Sequence, residues 1–252
     1  MFSRYDGDVG CDDRLLSLTN IMFDVSVWEF FLPLTFGARL VLFPGQERFN
    51  IFALTAAIER EKITLIYLPP ALLADFCEQL KTLRSRVHLN KMLVGVEPIR
   101  DSVLEEYMKV NPGIKIINGY GPTETTICAS SYNYYSHPPR GEIVPIGAPL
   151  ANNQILLLDA ADHIVPLGIP GEICISGDGV ARGYLNNPEL TAEKFIKYRS
   201  YRTNRTYINY KSGDLGRWLY DGNIRFLGRS DHQVKIRGYR IELGEIENRL
   251  TK

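Results

Sequence analysis

The sequence predicts an α/β protein in which a parallel sheet with flanking helices is followed by a β-rich part. Between residues 38 and 118, short apolar runs typical of strands alternate with segments whose apolar residues recur at helical spacing. Repeated β-α-β units of this length form parallel sheets covered by helices. After about Pro138, turn pairs such as Pro170-Gly171 and Asp221-Gly222 separate short apolar runs, which is typical of antiparallel strands.

The first part contains five predicted strands and three predicted helices. The strands are Arg14–Thr19, which alternates as a half-buried strand does, Ala38–Phe43, Ile63–Leu68, Lys91–Val96 and Ile114–Asn118. The first helix begins after an N-cap at Asn50, and the second runs from Ala71 to Leu83. The third begins at a capping box of Ser102 and Glu105 and runs to Val110. Ligands in such sheets bind beyond the carboxyl ends of the strands, so the loops at Pro69, Gly95–Pro98 and Gly119–Thr126 are expected at one edge.

The second part is predicted to contain strands at Gln154–Leu158 and Glu172–Ile175 and a helix at Pro188–Phe195. We divide the chain into an α/β part (residues 1–137), a β-rich part (138–230) and a final charged segment (231–252).

Composition excludes several classes of function. The 29 basic and 29 acidic side chains balance, which argues against a general nucleic-acid or anionic-membrane surface. The four cysteines form no CxxC pair, so a Cys/His metal site is not expected. The apolar runs are too short to span a bilayer and no leader pattern opens the chain, so a cytoplasmic location is expected.

The loop Asn118–Thr126 concentrates two glycines, a proline, hydroxyls, a tyrosine and a carboxylate directly after a predicted strand. Glycine and proline allow backbone shapes that other residues resist. Such a loop is either a surface turn or a ligand-binding loop, and composition alone leaves both open.

Asp24 lies among large apolar residues between Phe23 and Phe31. An unpaired buried carboxylate is costly. Asp24 therefore caps a helix through the amide of Ser26 or Val27, faces a cationic partner, or does both.

Five stretches together resemble the adenylation domain of nonribosomal peptide synthetases, within the adenylate-forming enzymes. They occur in the family's order: Phe23–Phe31, Asn118–Thr126, Gly171–Phe195, Tyr210–Trp218 and Leu227–Glu247. The resemblance covers nearly the whole chain and implies an adenylate-forming fold, present incompletely, whose β-rich part is a distorted barrel.

The resemblance also implies roles for individual residues. Tyr120 would stack on adenine, Thr123 would lie near phosphate, and Glu124 would hold Mg²⁺, a cation that prefers oxygen ligands. Asp214 would accept hydrogen bonds from the ribose hydroxyls. The alternative is that it is only a turn residue, because aspartate is common in turns such as Ser-Gly-Asp. Arg229 would contact ribose or phosphate, or form a surface ion pair. The implied nucleotide-binding set is Gly95, Val96, Glu97, Asn118, Gly119, Tyr120, Gly121, Thr123, Asp214, Phe226 and Arg229, and the implied catalytic set is Thr123, Glu124 and Lys235. The family often has two glycines where this chain has Gly95-Val96.

In amino-acid-activating members, an aspartate in the position of Asp24 pairs with the α-ammonium of the substrate. The implied substrate-side-chain contacts are Val25, Trp28, Tyr67, Leu93, Gly95, Gly119, Ile127 and Cys128. None of these is charged, which favours a neutral, largely apolar amino acid.

The resemblance implies ATP and Mg²⁺, a phosphopantetheine-bearing peptidyl carrier domain and a condensation domain as cofactors and partners. Asp231 matches the family's hinge. Residues 1–22 do not match its phosphate loop, and its C-terminal subdomain would follow Lys252, so little activity is expected from these residues alone. A fragment of an acyl- or aryl-acid ligase and a non-catalytic remnant are the alternatives, and Asp24 disfavours the former.

Overall fold

The computed structural model describes residues 9–83, 87–136, 142–199, 206–230, 234–236, 239–241 and 249–250. Contacts divide the chain into two compact units. Unit 1 is Met1–Gly119 with Asn133–Val144, and unit 2 is Tyr120–Tyr132 with Pro145–Lys252.

Unit 1 is built on a parallel sheet. Its strands are β1 (Arg14–Ser17), β2 (Arg39–Leu42), β3 (Leu65–Tyr67), β4 (Lys91–Gly95) and β5 (Lys115–Tyr120), which are ordered β2-β1-β3-β4-β5. The predicted parallel sheet is confirmed, and β1 lies within the strand predicted at Arg14–Thr19, although its residues are mostly buried rather than half-buried. Buried residues such as Leu15, Ile66 and Ile117 fill these strands, as expected where both faces are covered.

Four helices connect these strands: α1 (Val25–Thr35), α2 (Ile51–Glu61), α3 (Pro70–Leu83) and α4 (Asp101–Val110). The connection from β1 leads outward to β2, whereas the connections from β2 onward run in the opposite direction across the sheet. Right-handed crossovers therefore put α1 on one face and α2–α4 on the other. The strand order reverses between β1 and β3, which makes the carboxyl ends of these two strands a topological switch point.

Helix starts show which local signals were reliable. Asn50 caps α2 as predicted, because its side-chain oxygen accepts from the amide of Ala53 at 3.2 Å. The predicted capping box of Ser102 and Glu105 is wrong. Helix α4 begins at Asp101 after Arg100, with no side-chain cap. Buried Asp101 instead accepts from the hydroxyl of Tyr134 at 2.6 Å.

Unit 2 is antiparallel. It contains β6 (Ser130–Asn133), β7 (Ala148–Pro149), β8 (Asn153–Leu158), β9 (Gly171–Gly177), β10 (Phe195–Arg199), β11 (Thr206–Trp218), β12 (Ile224–Arg229), β13 (Val234–Ile236) and β14 (Tyr239–Ile241), and the helix α5 (Pro188–Lys194). Strands β10-β11-β9-β8 form a sheet, and β12 pairs with β11. Its inner face packs Ile155, Ile173 and Ile175 into an apolar cluster. No helix within the described residues is long and apolar enough to cross a bilayer.

Candidate functional site

In unit 1, the residues expected to contact substrate lie around the switch point. Tyr67 of β3 pairs in register with Leu93 of β4, so their side chains share one face of the sheet. Strand β1 continues this register through Leu15 and Leu65, which places Ser17 on the same face. Helix α1 packs on β1 and β2 and reaches Ser17 through Glu29, so the helix that carries Val25 and Trp28 covers that face.

Asp24 does not cap α1 through its side chain. Its backbone is already helical (φ −60°, ψ −28°), and its carboxylate makes no capping hydrogen bond. The amides of Ser26 and Val27 donate to the backbone carbonyls of Phe23 and Asp24 instead. Of the two sequence-based explanations, the cap is therefore wrong. The carboxylate lies at the amino-terminal end of α1, where the helix dipole favours negative charge.

Glu29 is a residue of this region to which sequence reasoning gave no role. Its side chain is fully buried (0% exposed) and accepts from four neutral donors at the end of β1. These are the Ser17 hydroxyl (3.0 Å), the Leu18 amide (3.1 Å), and the amide (3.0 Å) and hydroxyl (2.8 Å) of Thr19. Burial raises the pKa of Glu29, and the donors oppose that rise. The available signal was spacing, because Val25, Glu29 and Pro33 are four residues apart on the buried face of α1.

Gly95 and Gly119 pair in register at the ends of β4 and β5. Gly95 has φ +144°, and a Cβ atom there would lie 2.0 Å from the carbonyl oxygen of Gly119. The two backbones therefore meet without room for any side chain at Gly95. The next residue, Val96, has φ +69°, a left-handed conformation that strains a β-branched residue. This is the position where the family often has a second glycine.

Tyr120 is the last residue of β5 and the first residue of unit 2, and it is 8% exposed. Its ring packs in the apolar cluster with Ile155 and Ile175, and Phe226 packs against the same cluster. The Tyr120 hydroxyl donates to Asp214 Oδ2 at 2.6 Å. Burial, followed by the charge of Asp214, raises the pKa of Tyr120, so the hydroxyl remains a donor.

Asp214 is 4% exposed and is more than a turn residue. Arg229 Nη1 donates to its Oδ1 at 2.6 Å, and Arg229 Nη2 donates to the Ser212 carbonyl at 3.2 Å. The side chains of Arg229 and Asp214 are 14% and 6% exposed, so the ion pair is largely buried and is not the surface pair considered from sequence. Asp214 therefore joins the tyrosine of the loop to the arginine at the end of β12.

Glu124 belongs to a short 3-10 turn, Thr123–Thr125, and contacts a second segment of unit 2. The Tyr184 hydroxyl donates to Glu124 Oε1 at 2.7 Å, and it lies 3.2 Å from the Tyr210 hydroxyl. Burial, and after it the neighbouring Tyr210 hydroxyl and Glu124 carboxylate, raises the pKa of Tyr184. Tyr184 and Tyr210 fall within motifs that the sequence matched, but sequence reasoning gave neither a role.

The oxygen donors around Glu124 fit a phosphate-bound Mg²⁺ ion. Mg²⁺ in nucleotide sites is typically held by one or two carboxylates together with substrate phosphates. No cluster of three or more His, Cys, Asp or Glu occurs in the described part of the chain, so a site made wholly of protein ligands is not seen there. Glu124 and the exposed hydroxyl residue Thr123 supply the oxygen chemistry that such a shared site needs.

The remaining predicted residues are placed as follows. Asn118 is buried in β5, and Gly121 follows the strand in the partly exposed part of the loop. Ile127 and Cys128 are half-buried in unit 2, and Glu97 is half-buried after β4 in unit 1. Lys235 lies in β13, and its side chain is outside the described structure, as is Asp231.

Comparison with known proteins identifies the family. Residues 1–185 match the family model "AMP-binding enzyme". The chain is 44% identical over 243 residues to bacitracin synthase 1 and 43% identical over 246 residues to bacitracin synthase 3, both of Bacillus licheniformis. Each match covers 96% of this chain and 4% of the relative, so the chain spans a small part of these proteins.

Among solved structures, PA1221 is described as a nonribosomal peptide synthetase protein containing adenylation and PCP domains. It superimposes with a TM-score of 0.85 at 25% identity, over 97% of this chain and 42% of that one. The chain therefore belongs to the AMP-binding enzyme family, and its relatives identify it as an adenylation domain of the nonribosomal peptide synthetase type.

Proposed function

We propose that this adenylation domain activates a neutral, largely apolar L-amino acid with ATP. The observation that carries the proposal is the carboxylate of Asp24 at the amino-terminal end of α1, beside the switch point of unit 1, where it does not serve as a helix cap. A carboxylate there suits an α-ammonium group. The uncharged residues Trp28, Tyr67 and Leu93 on the same side of the sheet suit an apolar side chain.

In the first half-reaction, a carboxylate oxygen of the amino acid forms a bond to the α-phosphorus of ATP. The bond from that phosphorus to the bridging oxygen of the β-phosphate breaks, and pyrophosphate leaves. Asp24 would fix the ammonium end of the substrate, so that the carboxylate is presented in one orientation. When bound, Mg²⁺ would neutralise phosphate charge, and Glu124 with Thr123 would be its contacts on this chain.

Unit 2 would hold the nucleoside. Asp214 is fixed by Tyr120 and Arg229, and a carboxylate oxygen can accept more than one hydrogen bond, so it can also accept from ribose hydroxyls. The largely buried pair then presents a pre-oriented acceptor, which reduces the ordering cost of binding.

In the second half-reaction, the sulfur of a carrier-bound phosphopantetheine thiol attacks the carbonyl carbon of the aminoacyl adenylate. The thiol proton is lost to solvent or a base, AMP leaves and a thioester remains. A peptidyl carrier domain is the proposed acceptor, supported by relatives that contain adenylation and PCP domains. A condensation domain of the parent synthetase would use the thioester.

The proposal is tested with non-hydrolysable aminoacyl-sulfamoyl adenosine analogues and calorimetry. Leucyl and phenylalanyl analogues should bind more tightly than aspartyl or lysyl analogues. Asp24→Asn should weaken them about 30-fold or more, because removing one partner of a buried charge pair costs about 2–5 kcal/mol.

The matched control is the analogue that lacks the amino group. Its affinity should be the same for the unaltered chain and the Asp24→Asn variant. If that analogue bound the unaltered chain as tightly as the leucyl analogue, the domain would be assigned to the acyl- or aryl-acid ligases. Amino-acid-dependent ATP–pyrophosphate exchange by these 252 residues would show that they are active alone.

A further inference from the structure

Two segments of unit 2 are joined at several points around Glu124. The amide of Ala181 donates to the carbonyl of Glu124 at 2.8 Å. The hydroxyl of Thr126 donates to the carbonyl of Gly179 at 2.7 Å. With the bond from Tyr184, the segment 179–184 holds both the backbone and the side chain of the turn that carries Glu124.

The hydrogen bonds between the hydroxyl groups have one consistent direction. An ionised carboxylate only accepts, so the single proton of Tyr184 is used toward Glu124 Oε1. The oxygen of Tyr184 can then interact with the Tyr210 hydroxyl only as an acceptor, and Tyr210 must donate. The order is Tyr210 to Tyr184 to Glu124, and chains of this kind strengthen each member.

Tyr184 is held from three sides. Its ring meets Phe195 edge-on at 5.5 Å between centroids, and Phe195 lies 5.1 Å from the Tyr210 ring. Its amide donates to the hydroxyl of Thr191 at 2.9 Å. The preceding Gly183 has φ +137°, and a Cβ there would lie 2.4 Å from Cγ2 of Thr191, so only glycine fits this approach. Tyr210 is 1% exposed.

We propose that Tyr184 is a positioning residue, supported by Tyr210, that sets the orientation of the Glu124 carboxylate toward its cation. The inference rests on the proposed function, since it takes Glu124 as a contact for phosphate-bound Mg²⁺. Groups that hydrogen-bond a metal-binding carboxylate fix its rotation and tune its affinity. A purely structural role for Tyr184 would stabilise the fold without affecting the response to metal.

The test measures the affinity of the full chain for ATP by calorimetry, with EDTA and with Mg²⁺. The ratio of the two affinities is the metal-dependent gain. Tyr184→Phe should leave the affinity in EDTA within about twofold and reduce the gain about 10-fold, the lower end of the effect of such partners. Tyr210→Phe should produce a smaller loss of gain in the same direction.

A second measurement separates positioning from general loosening. Electron paramagnetic resonance of Mn²⁺ with ATP should show a weaker Mn²⁺ affinity in Tyr184→Phe. Tyr220→Phe, which removes the hydroxyl of a residue that is 94% exposed in the same unit, should match the unaltered chain. Glu124→Gln should lower the gain, and adding Tyr184→Phe to it should lower the gain no further.

An unchanged metal-dependent gain in Tyr184→Phe would overturn the inference, as would an equal loss of affinity with and without metal. If the unaltered chain bound ATP but showed no gain with Mg²⁺, the role of Glu124 as a metal contact would be overturned while nucleotide binding stood. Failure of the unaltered chain to bind ATP at all would overturn the proposed function, and the inference with it.

Discussion

Each unit contains a buried carboxylate near its predicted site residues, and the two are held differently. In unit 1, Glu29 accepts from neutral donors that lie 10 to 12 residues earlier in the chain. In unit 2, Asp214 accepts from the guanidinium of Arg229 and from Tyr120, which is 94 residues away in sequence. The first arrangement orders one helix on its own strand, whereas the second ties distant segments together. Glu29 is therefore expected to stabilise the local structure around α1, whereas Asp214 is expected to stabilise the whole of unit 2.

The largest expected effect is that of Asp214→Ala. It leaves the Arg229 guanidinium without this carboxylate and removes the acceptor of Tyr120. Breaking a buried pair by removing one partner costs about 3–5 kcal/mol in the free energy of unfolding, measured by urea titration. The exposed-residue control Asp75→Ala should change little. If Asp214→Leu combined with Arg229→Met were no more stable than Asp214→Leu alone, the pairing would not be the cause.

Glu29→Gln should have a smaller effect. The amide keeps the shape, but its NH₂ group would face hydroxyl and amide donors, leaving bonds unmade at a cost of about 1–3 kcal/mol. Glu105→Gln on the exposed side of α4 is the control and should be near neutral.

In Glu29→Gln, the fluorescence of Trp28, one residue before Glu29, can distinguish local loosening of α1 from global unfolding. Since the chain has two tryptophans, Trp218→Phe leaves Trp28 as the fluorescent reporter. In Glu29→Gln, the Trp28 emission should shift to longer wavelength at a lower urea concentration than the one at which the circular dichroism of the whole chain is lost. Simultaneous loss of Trp28 emission and of circular dichroism would mean that Glu29 supports the whole unit.

The helix caps Asn50 in unit 1 and Asn187 in unit 2 are expected to make smaller contributions to the unfolding free energy. Asn50 caps α2, which buries four residues, and Asn187 caps α5, none of whose residues is buried. Asn50→Ala should cost about 1 kcal/mol in unfolding free energy. Asn187→Ala should cost less, because loosening α5 exposes little apolar surface. Equal losses would show that α5 is tied to its unit by contacts other than burial.

The smallest expected effect is a gain. Val96 has a left-handed conformation that costs a non-glycine residue roughly 1–2 kcal/mol, while glycine costs roughly 0.4–1 kcal/mol more backbone entropy. Val96→Gly should therefore raise the unfolding free energy by up to about 1 kcal/mol. Ile127→Gly, at φ +68° in unit 2, gives the matched comparison. A loss of stability in both would mean that side-chain packing outweighs the strain.

The sequence predicted features that depend on neighbours along the chain. The strand predicted at Lys91–Val96 is observed at Lys91–Gly95, since apolar runs and turn residues specify such segments. Asn50 was identified as a cap because its short side chain reaches a nearby amide. The pattern at Ser102 failed because the same spacing occurs inside a first helical turn.

Contacts between distant segments were not predictable in this way. No local pattern pairs Tyr184 with Glu124, 60 residues earlier, or Tyr120 with Asp214. The resemblance named Tyr120 and Asp214 separately, as contacts for different parts of a nucleotide. It did not indicate that they bind each other, because that follows only from the fold of unit 2.

The close approach of Gly95 to Gly119 limits which of the proposed substrate contacts could be substituted. A side chain at Gly95 would overlap a backbone carbonyl, so random libraries that include this position should return mostly misfolded chains. Diversity is better directed to Trp28, Tyr67 and Leu93, where one side chain can replace another of similar volume. For directed evolution, Gly95, one of the eight implied contacts, therefore cannot be varied, because a side chain there would require β4 and β5 to move apart.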